Sequence, residues 1–111
     1  MMTQPVIWRE GLEPAVEALL WNGWSAEEKV YYSTRALAVG MALYNQELLR
    51  VCGSRGIDCI DLASAVPRTS EIFYDDAHYT EKGAELVARL IGEHFRSRQP
   101  FVGTATTENS R

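Results

Sequence analysis

Cysteine is scarce in this sequence. Only Cys52 and Cys59 are present, too few for a disulfide scaffold and not spaced as a C-x-x-C redox pair. Buried thiols are the expected state, with a disulfide between them as the alternative. Long apolar runs are missing too. None approaches the ~20 residues that a membrane span needs, and the start, "MMTQPVIWRE", lacks the basic and long apolar regions of a secretion signal. Positive charge is in the minority, 11 Lys and Arg against 15 Asp and Glu, for a net charge of −4. That balance, without a basic stripe interleaved with aromatics, removes any general attraction to nucleic acid or anionic lipid. No internal repeat or low-complexity block occurs. These absences predict a cytoplasmic protein with no membrane span and no nucleic-acid partner.

What is present is the make-up of one small globular domain: 46% hydrophobic and 23% charged residues over 111 positions. Residues 3–8, "TQPVIW", are predicted to form a short strand, with Pro5 marking an end or an edge. Residues 9–33 carry turn signals and aromatics, with a short helix predicted over 14–20 behind Pro14. The clearest period lies in 34–52. Leu37, Met41, Tyr44, Leu48 and Val51 recur at helical spacing, and Tyr44 is expected in the core. Gly53 and Gly56 are expected to stop this helix. "IDCIDL", 57–62, is predicted to be a strand, and 63–72 to be irregular with one helical turn. Thr80 is a good N-cap for a last helix running to about Arg98, with Leu86, Val87, Leu90, Ile91 and Phe95 on its buried face. Residues 1–98 form the expected domain and 99–111 a disordered tail. The expected class is α/β, the last strands and helices of a parallel sheet. Two strands would leave such helices short of partners, and a chain that starts inside a strand is what a truncation would produce.

The chemistry concentrates in "DDAHYTEKG", 75–83. A histidine base needs an anion on its second ring nitrogen to fix the tautomer and stabilise the imidazolium. Asp75 and His78, three positions apart on a turn before a helix, can face each other. Asp76 is expected to face away. The spacing alone is weak evidence, since a bare Asp–His pair is more often a surface hydrogen bond. A metal site from Asp75, Asp76 and His78 has no further ligand cluster to complete it. His94, near the end of the last helix, suits the helix dipole. Asp61 is read as structural and Trp8 as packing. Trp21 and Trp24 are left open between packing and a sugar or acyl pocket.

"YDDAHYTEKGAELVARLI" resembles the C-terminal block of the SGNH (GDSL-type) hydrolases, with Asp75, His78 and Gly83 at the matching positions. "YNQELLRVCGSRGIDCIDL" and "TQPVIW" also look like this family, so the resemblance spans about 3–96. It implies a flavodoxin-like α/β/α sandwich and ester hydrolysis without a cofactor. His78 would be the general base and Asp75 its orienting carboxylate. Two parts of the family pattern are missing. None of Ser25, Ser33, Ser54, Ser64, Ser70, Ser97 and Ser110 follows Gly-Asp. Asn22 and Asn45 lack the Gly-x-Asn context of the oxyanion block. The chain is therefore expected to be a C-terminal portion that is inactive alone, meeting an ester substrate only when an N-terminal half complements it. The alternative is a small interaction module that forms a homo-oligomer or binds a partner through unpartnered apolar faces.

Overall fold

The computed structural model describes residues 1–99; of the tail expected over 99–111, residues 100–111 lie outside the described residues. Among them the elements run α1 (Pro14–Glu17), β1 (Trp24–Ser25), β2 (Val30–Tyr31), α2 (Thr34–Arg55), α3 (Leu62–Ala65) and α4 (Glu81–Arg98). Helices dominate. The sheet is a two-stranded antiparallel hairpin pairing Trp24 with Tyr31 and Ser25 with Val30. This overturns the expected parallel, flavodoxin-like α/β sandwich.

The reason lies in where the backbone groups of 3–8 go. A parallel ladder would bond them repeatedly to 57–62. The two segments share one bridge, Met2 with Ile60, carried by Thr3 N–H to the Ile60 carbonyl at 3.0 Å and Ile60 N–H to the Met1 carbonyl at 2.9 Å. Beyond it the partners are not strands. Asn45, buried on α2, donates its Nδ2 to the Gln4 carbonyl at 3.0 Å and accepts Gln4 N–H on Oδ1 at 2.9 Å. Ile7 N–H goes to the Asp76 carbonyl at 3.1 Å. One side-chain amide supplies the donor and acceptor that a neighbouring strand would offer.

Both long helices are capped as their sequences require. Ser33 Oγ accepts from Ala36 N–H at the start of α2, and Thr80 Oγ1 accepts from Gly83 N–H at the start of α4. α2 runs through Gly53 and stops at Gly56, whose φ of 63° is the left-handed conformation glycine tolerates best. The predicted helix over 14–20 shortens to one turn.

Val6, Ile7, Trp8 and Leu12 from the N-terminal segment meet Leu62, Val66, Ile72 and Phe73 in the buried core. Leu37 and Met41 of α2 and Leu86, Val87, Leu90 and Ile91 of α4 pack against it. Tyr44, expected in the core, is 64% exposed beside Leu43 and Val39. The inward position belongs to Asn45. Gly83 is buried in the first turn of α4, where a Cβ would overlap the Ile72 carbonyl oxygen. Glycine there lets the helix start directly against the loop that precedes the Asp–His pair. Among the described residues no helix is long and apolar enough to cross a membrane.

The cysteines are not buried thiols. Cys52 and Cys59 form a disulfide with a Cα–Cα distance of 6.2 Å, joining the end of α2 to the segment that bridges Met2. It closes a loop of sequence separation 7, for which chain-entropy reasoning gives about 2.5 kcal/mol of stabilisation. Reduction, or paired Cys52→Ser and Cys59→Ser substitution, is expected to lower the urea-unfolding free energy by about 2 kcal/mol. An unchanged midpoint would show that the bridge does not restrain the unfolded chain.

Candidate active site

Residues 74–78 form a tight loop. Phe73 and Tyr79 pair as an isolated antiparallel bridge, and Tyr74 N–H donates to the His78 carbonyl at 3.1 Å. Phe73 is buried in the core, with its ring centroid 5.2 Å from that of Tyr79. The loop thus stands on a fixed base, and Thr80 then starts α4.

Within it, Asp75 and His78 face each other. Asp75 Oδ1 accepts the backbone N–H groups of Ala77 at 3.0 Å and His78 at 2.8 Å. Its Oδ2 lies 2.7 Å from His78 Nδ1. Such an Asx-type turn satisfies a carboxylate locally and fixes its orientation. Burial raises the Asp75 pKa and is the largest single influence. The N–H groups of His78 and Ala77, the His78 ring and the Trp21 indole together outweigh it, bringing the carboxyl from 3.8 to about 2. An ionised carboxylate assigns the proton of neutral His78 to Nδ1. Nε2 then carries the lone pair and has no hydrogen-bond partner among the described residues. The histidine side chain is 60% exposed against 13% for Asp75. Its ring stacks on Tyr74 at a centroid distance of 5.8 Å and 15° between planes. The arrangement puts a carboxylate behind Nδ1 of an exposed imidazole and leaves Nε2 without a partner among the described residues, a geometry that general-base chemistry can use.

Asp76 faces away from His78, as expected from its position, and into the interior. It is fully buried, with 0% exposure. Oδ1 accepts the Trp8 indole N–H at 2.7 Å, and Oδ2 accepts the backbone N–H groups of Trp21 at 2.8 Å and Asn22 at 3.3 Å. One carboxylate therefore fastens the N-terminal segment and the 20–22 loop to the loop that holds His78. The Trp21 indole, delivered this way, reaches Asp75 Oδ2 at 3.5 Å. Residue spacing carries no sign of this clasp. The available signal was chemical: indole N–H groups are donors only, and a second aspartate beside the pair can accept them.

Among the described residues no serine or cysteine joins the pair. Ser25 Oγ accepts from Glu28 N–H, and Ser33 caps α2. Ser54 donates to the Val51 carbonyl, Ser64 to Asp61 and Ser97 to the His94 carbonyl. Among the described residues no serine, including Ser70, hydrogen-bonds His78, and Ser110 lies outside them. Both cysteines are tied in the disulfide. His94 does more than face a dipole: its Nε2 lies 2.8 Å from Asp58 Oδ2, and that contact leads the influences lowering the Asp58 pKa. Asp61 accepts Thr3 Oγ1 and Ser64 Oγ, as a structural residue would. Trp8 lies in the core, whereas Trp21 and Trp24 are exposed. Among the described residues no group of three or more His, Cys, Asp or Glu could hold a metal ion.

Two outcomes check this geometry. Because the folded pKa of Asp75 lies below its ordinary value, its contribution to stability is complete above pH ~4 and is lost as pH falls through about 2. A carboxyl-carbon NMR titration of Asp75 should place its midpoint near 2; a midpoint near 4 would deny the turn. Asp76→Asn puts an amide donor where donors already converge. It should cost on the order of 3 kcal/mol in chemical denaturation, and a change under about 0.5 kcal/mol would deny the buried clasp.

No protein-family model matches the chain, and comparison with curated proteins and with solved structures returns no match. The expected ester-hydrolase relationship therefore gains no support from relatives, and the expected flavodoxin-like fold is displaced by the helical one.

Proposed function

We propose that Asp75 and His78 serve as the orienting carboxylate and general base of an acyl-transfer site, the acid–base part of a serine ester hydrolase that is inactive by itself. The observation that carries this reading is the 2.7 Å contact between Asp75 Oδ2 and His78 Nδ1 with Nε2 left toward solvent. In such a site His78 Nε2 takes the proton from a hydroxyl nucleophile as that oxygen attacks an ester carbonyl, and later gives it to the leaving alcohol. Asp75 stays ionised throughout and balances the imidazolium. Its low pKa suits that role, because the carboxylate does not compete for the proton. The hydroxyl and the oxyanion donors come from outside the set of residues that touch His78. The ester remains a substrate class without a named acyl group or alcohol.

With p-nitrophenyl acetate the purified chain is expected to release nitrophenolate no faster than His78→Ala. Diethyl pyrocarbonate, read by mass spectrometry, should modify His78 ahead of the more enclosed His94, and Asp75→Asn should slow that reaction about tenfold. Turnover that disappears in His78→Ala would mean that the chain carries its own nucleophile. Equal reactivity of Asp75→Asn and the native chain would remove the pair from the reading.

A further inference from the structure

The hairpin that sequence periodicity missed walls a second cleft. Gly23, at φ 92°, turns the chain into β1, and a Cβ there would crowd the Leu37 side chain of α2. The hairpin is closed by Tyr32 N–H to the Gly23 carbonyl at 2.9 Å and by Lys29 N–H to the Ser25 carbonyl at 2.7 Å. Between it, α1 and the start of α2 lies a cavity of about 530 Å³, lined by Glu17, Asn22, Tyr31, Tyr32, Thr34 and Leu37 among others. That volume lies within the range of small-molecule sites.

The lining carries a chemical signature. Tyr31 and Tyr32 supply aromatic surface, and Trp24 backs Tyr31 at a centroid distance of 4.9 Å. Glu17 accepts the Thr34 hydroxyl at 3.2 Å, and Glu28 accepts the Tyr32 hydroxyl at 3.1 Å, so both polar edges are held in place. The Asn22 carboxamide and the Tyr31 hydroxyl have no hydrogen-bond partner among the described residues. No lysine or arginine lines the cavity, so an anionic ligand would meet a carboxylate and no counter-charge. A hydrocarbon chain would leave the amide and carboxylate unsatisfied. A cation could use Glu17 and the rings, but offers no acceptor to the Asn22 amide donors.

We propose that this cleft binds a neutral polyhydroxylated ligand, a sugar unit whose C–H face lies on the tyrosines and whose hydroxyls pair with Asn22 and Glu17. Asn22 is also held through its backbone by Asp76, so the cleft and the Asp75–His78 pair share one support. Binding there does not depend on the acyl-transfer reading, because no lining residue belongs to that pair. The test is NMR titration of the full chain with cellobiose, xylobiose and chitobiose, with choline as a cationic control. At least one disaccharide is expected to saturate amide shifts over residues 17–37. Tyr31→Ala and Asn22→Ala, both outside the core, should each weaken binding about tenfold, and His78→Ala should leave it unchanged. Absence of saturable shifts with all three sugars would overturn the proposal. So would choline filling the cleft in their place, or full affinity in both variants.

Discussion

The Asp76 carboxylate is the contact on which the arrangement of this small protein turns. Taking such a group out of water is unfavourable by several kcal/mol unless donors replace the solvent. Here the Trp8 indole and the Trp21 and Asn22 amides replace it, while the residue's own carbonyl accepts Ile7 N–H. Three distant stretches of chain are thereby tied at one point. The demand for donors makes the arrangement selective. A packing that moved any of those stretches away would strand a buried carboxylate, an error far larger than the loss of one surface contact.

From that point the local geometry of the candidate site follows. With Asp76 turned inward, the carboxylate just before it, Asp75, turns to the backbone N–H groups ahead of it and to His78. Phe73 below and the Thr80 cap behind hold the loop ends, and Gly83 lets α4 begin against Ile72. Glycine matters here for close approach, since its own φ is helical. The Asp–His pair is therefore positioned by packing beneath it and stays exposed above it, as a base that must meet a reactant requires.

Much of this is legible in the residues of the loop and the helices. "DDAHYTEKG" placed a carboxylate and a histidine in reach of each other, and Thr80 and Ser33 announced helix starts by the hydrogen bonds their hydroxyls make. The strand assignments for 3–8 and 57–62 failed for a specific reason. β-Branched, apolar composition reports that a segment is buried, as Val6 and Ile7 are. It does not report what satisfies the backbone. Asn45 and Asp76 satisfy it instead, so the segment is buried without a ladder. Tyr44 and Asn45 show the same limit, because adjacent positions on a helix differ by about 100° and hydrophobicity alone favoured the wrong one.

Local features follow from the order of residues along the chain: two capped helices and the turn that brings Asp75 to His78. These depend on spacing of a few residues, where chain geometry leaves few alternatives. The burial of Asp76, the inward turn of Asn45 and the cleft behind the hairpin are set by the three-dimensional packing. Each of these requires segments remote in sequence to meet. What brings them together is the need to cover apolar surface while leaving no buried polar group without a partner, a condition on the whole chain at once.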